Sequence, residues 1–255
     1  MNSNKQTTLL EQQLLKTQEE LKLCQNELKK QDKYFDEFTY IVSHDLKQPF
    51  RNLSNYANFI TEDYINSFDD EGRHYIESIL RLSKQGSVLI NALHEYSQLR
   101  RKELKFKSID LKKELQSIIN KFKTTYEKVT LTIDYNTSCK LFTCDIQLLT
   151  TVINEILSNA ITFNTQDYQN ILFTVTDRQK FILLKFQDNG IGIDRNNHHN
   201  IFNIFKKLND QKSFHSGPGT GLAISKYIIE KHHGSIWVES SLGEGSAFYI
   251  SLPLQ

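Results

Sequence analysis

Apolar residues open the chain at intervals of seven: Leu14, Leu21, Leu28 and Phe35 form one seam, while Leu10, Cys24 and Phe38 fill much of the alternate one. The residues between them are rich in Gln, Glu and Lys, and no Gly or Pro precedes Pro49. Such a repeat predicts a coiled coil. Thr17 and Gln31 are polar members of the alternate seam, and one long amphipathic helix packed on its own domain is the other reading of the same pattern. The stripe continues without a break as Phe38, Val42, Leu46, Pro49, Leu53, Ala57 and Ile60, whose steps of three and four keep one helix face apolar. "NSFDDEG" then reads as a turn and helix start. A second amphipathic helix follows, carrying Ile76, Ile79, Leu80, Leu89, Leu93 and Tyr96. Two helices joined by a short loop bury too little alone, so the pattern predicts that two chains pair into a four-helix bundle.

The second half of the chain changes character, because eight of the ten glycines lie after residue 189. "IQLLTTVINEILSNAITFN" predicts a helix with Leu148, Leu149, Val152, Ile153, Ile156, Leu157, Ala160 and Ile161 on one side and Glu155, Asn159 and Thr162 on the other. "FILLKFQ" predicts a buried strand ending in "DNGIGI", and "GPGTGLAISKYIIEKHHG" a glycine-rich turn and a helix that stops at Gly234. These patterns divide the chain into a helical front and a turn-rich back that carries at least one strand.

Composition narrows the partners. The 255 residues are 38% hydrophobic and 24% charged, as in an ordinary globular protein, and the formal net charge of +1 gives no electrostatic case for nucleic acid. The longest apolar runs fall far short of the roughly 20 residues that span a bilayer, and the N-terminus has no signal-type apolar core. With three scattered cysteines, Cys24, Cys139 and Cys144, and no CxxC pair, a reducing, cytoplasmic location is expected. The adjacent histidines His198, His199, His232 and His233 lack well-spaced acidic partners and read as surface residues.

The candidate chemistry lies at the polar positions. His44 is two residues from both Val42 and Leu46, roughly 200° around the helix from each, so it faces water. Asp45 can accept a hydrogen bond from one ring nitrogen, fixing the tautomer and leaving the other as nucleophile. Pro49 removes the helical partner of the Asp45 carbonyl, so a bend is expected there. Asn159 offers an amide oxygen, a hard donor suited to Mg²⁺. Asp188 at the strand end can accept from an exocyclic amino group but not from a carbonyl, which favours adenine over guanine. Gly190 and Gly192 let a flat ligand approach the backbone, and Gly217, Gly219 and Gly221 before a helix are a candidate phosphate cradle. No GK[ST] follows, which excludes a Walker loop. The segment between, "NNHHNIFNIFKKLNDQKSFHS", reads as a lid anchored by Phe202 and Phe205.

Taken in order, "SHDLKQP", "NEILSNA", "DNGIGI", "IFNIFKKL", "GPGTGLA" and "GEGS" resemble the H, N, G1, F and G2 boxes of a sensor histidine kinase, over residues 36 to 254, with an H box most like that of phytochrome-type kinases. The heptad spacing gives a signalling coiled coil at 1–35, and the resemblance implies a dimeric hairpin for histidine phosphotransfer at 36–104 and a Bergerat-type (GHKL) α/β sandwich at 105–255 that binds ATP, so the expected fold class is α plus α/β. His44 would be the phosphoacceptor, assisted by Asp45. Asn159 would hold Mg²⁺, and Asp188, Gly190, Gly192, Lys207, Gly217, Gly219, Gly221 and Leu222 would contact ATP. The expected partners are a second copy of the chain, the receiver domain of a response regulator and an upstream sensor protein or domain. Three positions depart from the pattern. Glu155 replaces a frequent Asn and matches the water-activating glutamate of the ATPase cousins, Thr162 replaces a frequent basic residue, and Gln48 replaces the Thr or Asn associated with dephosphorylation of the regulator. A catalytically weak nucleotide-binding sensor or scaffold is the alternative reading.

Overall fold

The computed structural model describes residues 2–126, 129–208 and 218–254; the side chains of residues 2–11, Leu10 among them, and of residue 29 lie outside it, as does Gly217. The chain divides into two units, Met1–Arg101 and Lys102–Gln255.

The first unit is a helical hairpin: α1 (Asn2–Tyr64), a short 3₁₀ turn (Ile65–Ser67) and α2 (Asp70–Arg101). No break in α1 marks residue 35, and the helix runs on through Pro49. Asp69 caps α2 by accepting from the Gly72 N–H at 2.8 Å, while Asp70 and Glu71 in the first turn and Arg100 and Arg101 in the last oppose the helix dipole. The seam between the helices is built from small and polar residues. Thr39, Ser43 and Ala57 on α1 and Ser83, Ile90, Ala92 and Ser97 on α2 are buried. The Ser54 and Ser83 hydroxyls are 2.8 Å apart, and Ser83 Oγ donates to the Phe50 carbonyl at 2.9 Å. At the open end Arg100 pairs with Asp32 at 3.0 Å and with Asp36, and Arg101 and Ser97 both donate to the Asp36 carbonyl.

Apart from Ala57, the predicted apolar stripe is not what joins α1 to α2. Phe38, Leu46 and Leu53 are exposed within one chain, as are Leu14, Leu21, Leu28 and Phe35, and on α2 Ile79 and Leu89. Small residues let the two helices approach closely through one face, so the bulky stripe on the next face stays uncovered.

The second unit begins with β1 (Lys107–Asp110) and α3 (Leu111–Thr125), then β2 (Val129–Asn136) and β3 (Leu141–Cys144). Next come α4 (Ile146–Thr162), β4 (Gln169–Arg178) and β5 (Phe181–Asp188), and after two 3₁₀ turns α5 (Gly221–Lys231), β6 (Ser235–Ser240) and β7 (Ser246–Pro253). Five strands form one sheet in the order β2-β4-β5-β7-β6, with β2 and β4 parallel and the other pairs antiparallel; β1 and β3 make a separate ribbon. Asp110 and Asp145 cap α3 and α4 by accepting from Lys113 and Leu148.

Period-two alternation decides the layers. Ile171, Phe173 and Val175 of β4, Ile182, Leu184 and Phe186 of β5, and Phe248, Ile250 and Leu252 of β7 are buried together with Leu115 and Ile119 of α3, Leu149, Ile153 and Leu157 of α4, and Ile228 and Ile229 of α5. Phe173 and Phe186 stack at the centre, 4.3 Å between centroids. The opposite sheet face carries the partly exposed Leu172, Lys185, Trp237 and Tyr249. "FILLKFQ" is thus buried on one face only, a correction to the expectation of a wholly buried strand: helices cover a single side of this sheet. A second correction concerns His232, which is not on the surface but 2% exposed. Its Nδ1–H donates to the Ile228 carbonyl (2.8 Å) and its Nε2 accepts from the Asp145 N–H (3.1 Å), joining the end of α5 to the start of α4.

Candidate functional site

The predicted functional residues fall into two groups, one in each unit. In the hairpin, the His44 side chain is 69% exposed, as its helical phase requires, and its Nδ1 lies 3.1 Å from Asp45 Oδ1. With the Nδ1–H donated to a carboxylate, the lone pair sits on Nε2, the nitrogen turned away from the chain's own backbone. Gln48 is exposed one turn further along. Directly under His44, Ser43 is fully buried. Its hydroxyl donates to the Tyr40 carbonyl (3.0 Å) and lies 3.4 Å from Nδ1 of His94, which stacks on Tyr40 and has Gln98 Nε2 at 2.9 Å from its Nε2. Burial, then the charges of Lys47 and His44, pushes the His94 pKa down, with Glu95 opposing. A neutral His94 completes this network by donating from Nδ1 to Ser43 and accepting at Nε2 from Gln98, which locks the backbone turn that carries His44 against α2.

In the second unit, Asp188 is the last residue of β5, the central strand of the sheet. Its Oδ1 accepts from the Gly190 N–H at 2.8 Å and the Ser246 N–H at 3.1 Å, so Oδ2 is left for a ligand. Burial raises the Asp188 pKa against the opposing pull of these two N–H groups. Asn189 clamps the loop after α4: its Oδ1 accepts from Asn164 Nδ2 and the Asn170 N–H, both at 2.8 Å, and its Nδ2 donates to the Tyr168 carbonyl at 2.7 Å. Gly192 has φ of +71°, and a Cβ there would sit 1.9 Å from the Ser241 carbonyl oxygen, so the loop closes on backbone that no side chain could share.

Glu155 and Asn159 face the site from α4, and Asn159 Nδ2 donates to Glu155 Oε1 at 3.2 Å. Among the described residues Asn159 Oδ1 accepts no hydrogen bond, so it is available as a hard oxygen donor. Burial raises the Glu155 pKa, and the Asn159 hydrogen bond opposes the rise. A Cβ on Gly221, the first residue of α5, would fall 1.8 Å from Glu155 Oε1. The carboxylate therefore rests against the N-terminus of α5, where the helix dipole favours negative charge. A half-buried carboxylate beside an amide oxygen suits a divalent cation. Gly219 (φ +75°) accepts from the Phe205 N–H at 2.9 Å, and a Cβ on it would lie 3.2 Å from Lys207 Cγ, which brings Lys207 beside the glycine turn. Leu222 is half-buried in the first turn of α5, and Thr162 is exposed at the end of α4. Phe202 is buried as an anchor, whereas Phe205 is 39% exposed with φ of +62°, so only one of the two predicted aromatic anchors is embedded.

Among the described residues no cluster of His, Cys, Asp and Glu could hold a metal ion, and no helix is long and apolar enough to cross a membrane. The sequence did not reveal the partnership of Asp188 with Ser246, 58 residues away, nor the Ser43–His94 network, whose members are 51 apart. "GEGS" was visible as a motif, but only strand pairing shows what its serine N–H does.

Residues 36–102 match the His Kinase A (phospho-acceptor) domain family, and residues 144–255 match the family described as histidine kinase-, DNA gyrase B- and HSP90-like ATPase. Cyanobacterial phytochrome B of Nostoc is 34% identical over 94% of this chain and 32% of its own length. Sensor protein kinase WalK of Staphylococcus aureus is 28% identical over 86% of this chain and 54% of its own. The chain thus spans about a third of the length of the phytochrome it matches. Among solved structures, full-length ShkA in complex with AMPPNP has a TM-score of 0.59 at 19% identity, over 86% of this chain and 46% of that one. The Acinetobacter baumannii kinase AdeS has a TM-score of 0.56 at 20% identity, over 83% of this chain and 98% of that one.

Proposed function

We propose that this chain, which belongs to the sensor histidine kinases through both its phospho-acceptor and its ATPase domain, uses ATP to phosphorylate His44 and passes the phosphoryl group to an aspartate of a response regulator. The observation that carries this reading is the exposed His44 with Nδ1 held by Asp45. That geometry presents Nε2 as a nucleophile of fixed tautomer on a rigid helix. Asp188 Oδ2 is the acceptor for the adenine amino group, and the Gly219 turn, Lys207 and the N-terminus of α5 receive the phosphates. Asn159 Oδ1 would hold Mg²⁺, with Glu155 close by; the ion's charge, when bound, offsets the phosphates. Nε2 forms a bond to the γ-phosphorus while the bond to the bridging oxygen breaks, and that electron pair leaves with ADP. Asp45 accepts the Nδ1–H bond throughout and stabilises the positive charge that develops on the ring. Most of the remaining catalysis is positioning.

The uncovered stripe of Phe38, Leu46 and Leu53 supports a homodimer joined as a four-helix bundle. A coiled coil over 1–35, a phosphotransfer hairpin over 36–104 and an ATP-binding domain over 105–255 is the division we assign, with an upstream sensor acting through the coiled coil and a cytoplasmic setting for the regulator. Incubation with Mg²⁺ and γ-labelled ATP should give label that survives alkali and is lost in acid, and none in His44→Gln. Bound nucleotide with no label on the wild-type chain would refute the kinase reading and leave a nucleotide-binding scaffold.

A further inference from the structure

A groove of about 680 Å³ opens between α1 and α2 beside His44. Lys47, Gln48 and Arg51 line it from α1, at three, four and seven residues after His44, which places them on the histidine's own helix face. Ser87 and Asn91 line it from α2. Ser54 completes the lining from α1. Ser54 and Ser83 bond to each other, and the Phe50 ring fills the notch at Gly86, where a Cβ would fall 2.0 Å from it.

The chemistry of the lining is one-sided. Two cations, two amides and the Ser87 hydroxyl offer hydrogen-bond donors, while the other lining hydroxyl, Ser54, is taken up by Ser83. The only carboxylate in the lining is Asp45, which accepts the His44 Nδ1–H. Among the described residues neither Lys47 nor Arg51 has a carboxylate partner. At about 1.5 Å of rise per residue, these cations start roughly 4.5 Å and 10.5 Å along the axis from His44, within reach of long side chains bending back. A phosphoryl group at neutral pH carries about two negative charges and three acceptor oxygens.

We infer that Lys47 and Arg51, helped by Asn91, form an oxyanion site that holds the phosphoryl group carried on His44 Nε2. The inference rests on His44 being the phosphoacceptor and adds the residues that keep the group in place between its arrival from ATP and its departure. The ligand class is a tetrahedral phosphoryl oxyanion. Arg51 supplies the planar fork suited to two of its oxygens, and Lys47 a point charge.

Inorganic phosphate is the probe, read by the ¹⁵N ring signals of His44 in the full chain at fixed ionic strength. Saturable shifts are expected in the wild type. The double variant Lys47→Gln, Arg51→Gln should weaken binding by about fivefold or more, as for the loss of two charge-assisted contacts at an accessible site. Lys84→Gln, the same change at an exposed position outside the groove, should leave binding unaltered. Absence of saturable shifts in the wild type, or equal binding by the double variant, overturns the site. Because this readout uses no ATP, phosphate binding through Lys47 and Arg51 in a chain that takes no label from ATP would sink the kinase reading and not the groove.

Discussion

Asp188, the proposed adenine contact, carries a charge that its folded surroundings oppose. Its folded pKa is raised, so the folded chain binds the proton more tightly than the unfolded one, and stability falls as pH rises from the unfolded pKa through the folded one. At neutral pH the ionised carboxylate therefore costs stability. Asp188→Asn keeps an Oδ1 for the Gly190 and Ser246 N–H groups and removes the charge. The variant should melt higher at pH 7, by a few degrees if about 1 kcal/mol is recovered, and the gain should vanish near pH 3. ATP affinity should drop about tenfold to a hundredfold, the usual worth of a hydrogen bond to a charged group. Calorimetric titration and melting at the two pH values test both halves, and unchanged ATP affinity would remove Asp188 from the adenine site. Gly192→Ala works differently. It forces a side chain into a positive φ and against the Ser241 carbonyl, and should cost about 2–3 kcal/mol in a denaturant titration. His232→Leu leaves the Asp145 N–H buried without an acceptor and should cost about 1–3 kcal/mol.

At the scale of elements, the hairpin is held at its open end by the Arg100 pairs with Asp32 and Asp36 and closed along its length by serines and Ala57. Removing Arg100 strands a half-buried Asp36, so Arg100→Ala should lower the hairpin's unfolding free energy by about 1–2 kcal/mol, less than a fully buried pair would. A fall of a few degrees in the melting temperature followed by circular dichroism would register this, and no change would assign the closure to the serine seam alone. These same elements explain what a single sequence reveals. The helix α4 was readable because Leu149, Val152, Ile153 and Ile156 repeat with the helical period, and β5 because "FILLKFQ" is a short apolar run, whereas the other strands gave no such reading. His44, Asn159 and Asp188 were readable because a polar residue breaks such a period. His232, Ser43 and His94 were not, since a buried polar residue is satisfied by partners far away in sequence, and neither Ile228 carbonyl nor Asp145 N–H carries any sequence signal.

For the whole molecule, the apolar stripe and the exposed heptad leucines ask for a second copy, because one chain cannot cover them. Light scattering should give twice the chain mass of 29.8 kDa, and Leu53→Asp should shift the population to single chains. A wild type that stays monomeric at high concentration would require another cover for that face. The proposed phosphoryl transfer depends on one atom: His44 Nε2, presented because Asp45 holds Nδ1. The most direct measurement is the nitrogen to which phosphorus is bonded after reaction with Mg·ATP, read by ¹⁵N–³¹P coupling in chain labelled at histidine. Coupling to Nε2 of His44 is the predicted result; phosphorus on Nδ1, or on any residue other than His44, would contradict it.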